Sequence, residues 1–364
     1  MIKIVTVVGA RPQFIKASVV SKAFENCTEI REITVHTGQH YDQNMSQIFF
    51  DQMEIKKPDY NLGINSGSHG SMTGKMLSAI EEVLLNEKPD YVLVYGDTNS
   101  TLAGALAAKK QNIKVIHVEA GLRSFNNNMP EEINRILTDR ISDLLFYPTD
   151  TAAKNLKSEG FPYPETKMVL SGDVMFDATL FYSQKSNDVS TILSDHNLLN
   201  TPYVLCTIHR SENTDSKERL DSIVKAINKI NDEIKVVLPI HPRTKKQIQS
   251  FGIHLNLNPI DPVGYFDMIQ LLSKCKLVMT DSGGLQKEAY FFQKPCLTLR
   301  DETEWTELVD KGYNILCGAS KSRIIENAHQ IMGSLPDFEK GIYGNGQAAQ
   351  IIRNEILSTV ENHA

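Results

Sequence analysis

Long apolar runs are missing from this 364-residue chain, and no stretch approaches the roughly 20 residues that a membrane-spanning helix needs. Cysteine is sparse. Cys27, Cys206, Cys275, Cys296 and Cys317 are odd in number, widely spaced and without a C-x-x-C pair, which argues against a disulfide scaffold or a zinc site, so no metal is expected. Basic residues do not dominate either: a net charge of −6 excludes the electrostatic footprint of a nucleic-acid binder, although one phosphorylated small molecule needs only a local cation. The G-x-G-x-x-G fingerprint is absent after the first strand, where Gly9-Ala10-Arg11-Pro12 stands instead, so no redox cofactor is indicated. Low-complexity tracts and repeats are also lacking. The opening Met-Ile-Lys-Ile-Val-Thr-Val-Val reads as a strand and not a secretory signal, which makes the cytoplasm the expected location.

What is present is ordinary for a soluble globular protein, with 41% hydrophobic and 23% charged residues. The length suggests two domains. Runs rich in β-branched residues alternate with amphipathic helix-length stretches throughout, the pattern of a parallel sheet covered by helices on both faces. Strands are expected at 2–8, 33–36, 91–95, 115–118 and 143–147, and the pattern restarts after a polar stretch with strands at 203–208, 235–240, 277–280 and 296–299. The expected domains are 1–172 and 173–346, two doubly wound sheets in series with a ligand cleft between their strand ends. The Gly/Ser-rich segment 67–74 is expected to be a mobile loop before a helix reaching about residue 86.

Polar residues crowd the carboxyl ends of these strands. In Asp281-Ser282-Gly283-Gly284, a strand runs directly into a helix expected from Gly284 to Phe292, whose free N–H groups and positive dipole end suit an anion, phosphate above all. Glu288, one turn further on, can accept hydrogen bonds from sugar hydroxyls, so a nucleotide diphosphate fits both groups. Arg11, Lys16, Arg210, Arg243 and Arg300 are candidate cations for that diphosphate. Asp97, Glu119 and Glu131 are candidate general acids and bases, and His209 and His241 also end strands. Each has a plainer alternative, the acids as helix caps or first-turn charges and the histidines as hydrogen-bonded structure.

Taken together, these motifs identify a family. Gly9-Ala10-Arg11-Pro12-Gln13-Phe14-Ile15-Lys16, Gly96-Asp97-Thr98, His117-Val118-Glu119-Ala120-Gly121-Leu122-Arg123 and Pro130-Glu131-Glu132-Ile133-Asn134-Arg135 resemble the non-hydrolysing UDP-N-acetylglucosamine 2-epimerases. So do His209-Arg210-x-Glu212-Asn213, His241-Pro242-Arg243 and Asp281-Ser282-Gly283-Gly284-x-Gln286-x-Glu288, and the resemblance spans nearly the whole chain. It implies a GT-B-like fold of two Rossmann-like domains, with a C-terminal helix at about 347–362 returning to the first, and a homodimer. The implied substrate is a UDP-2-acetamido sugar, from which UDP is eliminated to a 2-acetamidoglucal and then added back with C2 inverted, without a cofactor. Asp97, Glu119, Glu131 and His209 are implied to be catalytic. Arg11, Lys16 and His241 are implied to share the cleft, Ser282, Gly283 and Gly284 to hold the diphosphate, and Glu288 to bind ribose.

Two stretches depart from the common family pattern. Many bacterial members read Gln-His-Arg-Glu, linked to activation by a second substrate molecule, where this chain has Gln39-His40-Tyr41-Asp42. They also read Thr-Glu-Arg-Pro-Glu where this chain has Thr303-Glu304-Trp305-Thr306-Glu307, and Trp305 is alternatively a core residue. The opening Gly9-Ala10-Arg11-Pro12-Gln13-Phe14-Ile15-Lys16, His36-Thr37-Gly38-Gln39-His40 and Thr303-Glu304-Trp305 look closer to the branch acting on UDP-2,3-diacetamido-2,3-dideoxyglucuronate. A GT-B glycosyltransferase, a hydrolysing relative and a sugar-nucleotide-binding regulator are the competing readings.

Overall fold

The computed structural model describes residues 1–25, 27–39 and 53–361. The chain divides into two compact units, Met1–Leu180 with Gly341–Ala364, and Phe181–Lys340.

Among the described residues the first unit holds seven parallel strands: β1 (Ile2–Val8), β2 (Ile30–His36), β3 (Tyr60–Asn61), β4 (Tyr91–Tyr95), β5 (Lys114–Val118), β6 (Leu144–Tyr147) and β7 (Lys167–Leu170). Their order is β3-β2-β1-β4-β5-β6-β7, so the winding direction reverses between β1 and β4. In open α/β sheets such a switch point splays the two following loops apart and leaves room for a ligand. All five residues of β4 are buried, as expected of a strand covered on both faces. On one face Val5, Val7, Val92 and Val94 pack against Ile80 and Val83 of the helix His69–Glu87 and Ala103 and Ala107 of the helix Asn99–Lys110. The C-terminal helix Ala348–Glu361 belongs to this unit: Thr359 Oγ1 lies 2.9 Å from the Tyr91 hydroxyl, Glu355 pairs with Lys167, and Asp177 accepts the Ala349 N–H at 2.8 Å.

The second unit has β8 (Tyr203–Thr207), β9 (Lys235–Val237), β10 (Leu277–Thr280), β11 (Cys296–Thr298) and β12 (Asn314–Leu316), ordered β12-β11-β10-β8-β9. A parallel bridge between Pro239 and Ile260 continues the sheet past β9, so this unit has the same winding as the first, with one strand reduced to a bridge. Alternate residues feed opposite cores. Val204, Cys206, Leu277 and Met279 enter one cluster, while Tyr203, Leu205 and Val278 enter the other. All five cysteines are free thiols.

Two Rossmann-like parallel-sheet units are the composition expected of a GT-B-like chain. The strands that hydrophobic pattern did not disclose, β3, β7 and β12, are edge strands. An edge strand buries less surface, and β7 has no fully buried residue, so its apolar signal is weak. The segment expected as a loop at 67–74 is helical from His69 onward, because Ser68 caps that helix by accepting the Ser71 N–H. Of the stretch that departs from the family pattern, residues 40–42 lie outside the described residues.

Candidate active site

In the first unit, three loops leave the carboxyl ends of β1, β4 and β5. The first turns so tightly that a Cβ on Gly9 would fall 2.0 Å from Ser100 Oγ and 2.4 Å from Thr37 Oγ1. Gln13 fastens it to the second loop: its carbonyl oxygen accepts the Gly9 and Ala10 N–H groups at 2.8 and 3.1 Å, and its amide donates to Tyr95 O at 2.7 Å and Thr98 Oγ1 at 3.0 Å. Arg11 stands exposed at the start of the next helix, Arg11–Glu25. Lys16, on that helix, forms an ion pair with Glu119.

Glu119 is only 5% exposed and has φ of 71°, a left-handed conformation that a non-glycine residue adopts at a cost of about 1–3 kcal/mol. A Cβ on Gly96 would lie 3.3 Å from Glu119 Oε2, so this carboxylate borders the Gly96-Asp97 turn. Asp97 pairs with Arg135, whose other arm reaches Glu132 at 2.8 Å, and Asn134 Nδ2 donates to Asp97 O at 2.9 Å. Asp97 is not a helix cap, because Thr98 caps the helix Asn99–Lys110. Of the adjacent pair opening the helix Pro130–Ile141, Glu131 is exposed and Glu132 is fully buried. Glu132 accepts the backbone N–H groups of Ser124 and Phe125 and so sets the loop ahead of its own helix.

The second unit presents its own set. Asp281, fully buried after β10, accepts the backbone N–H groups of His209 and Arg210 and the Asn213 amide, each at 3.1 Å, and lies 3.2 Å from His209 Nδ1. Burial alone would raise the Asp281 pKa, but its bonds to His209 and Asn213 outweigh that and hold it below the usual carboxylate value. An ionised Asp281 takes the Nδ1–H, which in the neutral ring makes Nε2 the basic nitrogen of His209. His241 has the opposite arrangement. It caps the helix Pro242–Ser250 by accepting the Arg243 N–H on Nδ1 at 3.2 Å, so in the neutral ring its proton sits on Nε2 as a donor.

Ser282 caps the helix Gly283–Phe291, and Glu288 is half-buried in that helix. Trp305 is buried and donates its indole N–H to Gly283 O at 2.8 Å, bracing this turn from behind. The Lys287 ammonium lies 4.5 Å from the centre of the same indole. Trp305 is thus a core residue, and what it supports is the Ser-Gly-Gly turn.

Two of the candidate cations have acidic partners. Arg300 is 1% exposed and bonds Glu304 at 3.0 Å, so it braces the turn from within. The Arg243 guanidinium bonds Asp215 at 2.7 and 2.6 Å in an exposed, solvent-screened pair. Arg210 is half-buried between β8 and the short helix Ser211–Thr214. Gln13, Glu132, Arg135, Asp281 and Trp305 were not among the sequence candidates. Their signal lay within the motifs, but nothing local separated a ligand contact from a support.

A profile of the UDP-N-acetylglucosamine 2-epimerase family matches residues 22–357. The chain is 56% identical over 351 residues to the UDP-2,3-diacetamido-2,3-dideoxy-D-glucuronate 2-epimerase of Pseudomonas aeruginosa, covering 96% of this chain and 98% of the relative. It is 45% identical over 361 residues to the UDP-N-acetylglucosamine 2-epimerase of Methanocaldococcus jannaschii, covering 96% and 97%. A crystal structure of UDP-GlcNAc 2-epimerase from M. jannaschii with UDP-GlcNAc and UDP superposes with a TM-score of 0.89 at 43% identity, over 98% of this chain and all of that one. The Neisseria meningitidis enzyme bound to UDP-GlcNAc gives 0.87 at 34%, with 98% and 100% covered. Similarity of this extent, running through both units, makes the chain a member of the UDP-N-acetylglucosamine 2-epimerase family.

Proposed function

We propose that this enzyme interconverts UDP-N-acetylglucosamine and UDP-N-acetylmannosamine for surface-polysaccharide synthesis. The C2 hydrogen of such a sugar is not acidic, and direct removal would be slow. In the route that fits this site, the C1–O bond to UDP breaks as a carboxylate takes the C2 proton, leaving 2-acetamidoglucal and UDP. Re-addition of UDP to C1 with protonation of C2 from the opposite face gives the epimer, so carbon is neither oxidised nor reduced overall. The observation that carries this reading is the strained, buried Glu119 against Lys16, beside the Gly96-Asp97 turn. A transferase leaves the C2–H bond intact and so has no use for a carboxylate that takes that proton. Asp97, Glu119, Glu131 and His209 handle protons. Arg11, Lys16, Arg210, His241 and Ser282-Gly283-Gly284 stabilise the diphosphate, and Glu288 takes the ribose hydroxyls. The working form in this reading is a cytoplasmic homodimer, which sedimentation velocity checks.

The 56% identity to the Pseudomonas aeruginosa enzyme favours a second substrate, UDP-2,3-diacetamido-2,3-dideoxyglucuronate, converted by the same chemistry. Proton NMR in D₂O with each sugar separately, and with both mixed, decides between them. Deuterium at C2 with a manno product names the substrate; release of free sugar points to hydrolysis. If neither sugar exchanges, the epimerase reading fails.

A further inference from the structure

Beneath the two turns that carry Asp97 and Glu119 lies a buried chain of polar side chains. His117, in β5, has no exposed surface, and neither does Asp139. The ring Nε2 lies 2.8 Å from Gly96 O, and Nδ1 lies 2.7 Å from Asp139 Oδ1. The other oxygen of Asp139 accepts the Gly121 N–H at 3.1 Å and an Arg123 Nη1–H at 2.8 Å. Arg123 in turn grips both oxygens of Glu159, at 2.7 and 2.9 Å.

The donor and acceptor roles follow from these partners. A carbonyl oxygen only accepts, so Nε2 carries a hydrogen. A carboxylate that also takes two N–H groups only accepts, so Nδ1 carries one as well, and the ring donates at both ends. Burial would raise the Asp139 pKa, but the bonds and charges of His117 and Arg123 outweigh it and keep the carboxyl low.

What these contacts hold is specific. Gly96 O belongs to the peptide that enters Asp97, and Gly96 itself has φ of 62°. Gly121 N lies two residues past Glu119, at the end of a turn where residues 119 and 121 have φ of 71° and 79°. Glu119 thus holds a strained conformation that persists only where the surroundings over-determine it, while the glycines at 96 and 121 take theirs freely and need outside contacts to fix them.

We infer that His117 and Asp139 are positioning residues, one on each turn, that fix the Asp97 and Glu119 carboxylates relative to each other for proton transfer at the sugar. This inference rests on the epimerase reading. Neither residue touches substrate; they act through the backbone. A misplacement near 1 Å costs about 10²-fold in rate, whereas binding of UDP, which does not depend on these carboxylates, stays as it was.

The experiment compares three variants. His117→Asn keeps a donor near the Nδ1 position but cannot reach Gly96 O, and should lose about 10²-fold in kcat with KM and UDP affinity unchanged. His117→Gln restores a donor near the Nε2 position and should recover about tenfold of that loss. Glu159→Gln weakens the far end of the same buried chain, so it should lower the melting temperature without changing kcat. A folded His117→Asn protein with normal kcat overturns the inference, as does a Glu159→Gln protein that loses kcat equally. Two NMR readings need no turnover. The wild-type His117 ring should show hydrogens on both nitrogens, and the Gly96 and Asp97 amides should shift in His117→Asn but not in Glu159→Gln; a bare ring nitrogen, or unmoved amides, overturns it. If the wild type exchanges neither sugar, the epimerase reading fails, and these NMR readings alone decide whether the clamp exists.

Discussion

The two glycines of the Ser-Gly-Gly turn offer a sharp contrast. A Cβ on Gly283 would fall 2.4 Å from Glu304 Oε1, whereas a Cβ on Gly284 would meet nothing within 4 Å. The atom struck is the end of a side chain, but it is pinned, because the same carboxylate bonds the Arg300 guanidinium at 3.0 Å. Making room means moving that carboxylate by about 1 Å and loosening its hold on a cation whose side chain is 2% exposed. Leaving a buried charge poorly compensated costs about 3 kcal/mol, and alanine in a helix returns up to about 1 kcal/mol, so Gly283→Ala should lose about 2 kcal/mol net. Gly284→Ala should be neutral or gain slightly by the same helix term. Urea unfolding of the two variants measures this directly. Calorimetry with UDP adds a second contrast: if the diphosphate lies against this backbone, Gly284→Ala binds UDP more weakly although it folds at least as well as the wild type. Equal stability of the two variants would refute the bracing role assigned to Arg300 and Glu304.

Asp177 should make stability depend on pH. Burial pushes its pKa from 3.8 up to about 6, against the opposing N–H bonds from Ala349 and Ala348. The folded state then holds the proton more tightly than the unfolded state, so stability is greatest below pH 4 as far as this group is concerned and falls as pH rises from about 4 to about 6, by about 3 kcal/mol. Asp177→Asn should flatten that dependence in melts across the window, and an unchanged slope would refute the assignment. Asp281→Asn, which substitutes a neutral amide for the carboxylate facing His209 Nδ1, should lower kcat by about 10- to 100-fold with little change in KM; unchanged kcat would show that His209 needs no orientation.

The sheets were largely legible in the sequence because each strand buries two faces and so writes its own apolar run, as at Tyr91–Tyr95 and Leu277–Thr280. Edge strands such as Asn314–Leu316 escaped because they lack that double burial. At the site, the residue types were readable but their orientation was not. Glu131 and Glu132 are chemically alike in the sequence. Successive positions differ by about 100° around a helix, and that rotation sends one to the surface and the other into a buried bond with Arg135.

By itself, then, the sequence determined the alternation of strands and helices, the two-sheet composition and the crowding of polar groups at strand ends, all of which depend on side-chain chemistry and spacing within a few residues. Only the tertiary structure decided which of those groups face outward and which serve as supports. Asp281 holds His209 across 72 positions of sequence, and Gln13 reaches Tyr95 across 82. Arg300 turns inward to Glu304, and His117 joins the Gly96 turn to Asp139. A buried polar group must find its partner wherever the fold brings one, and that partner is not set by anything local to it.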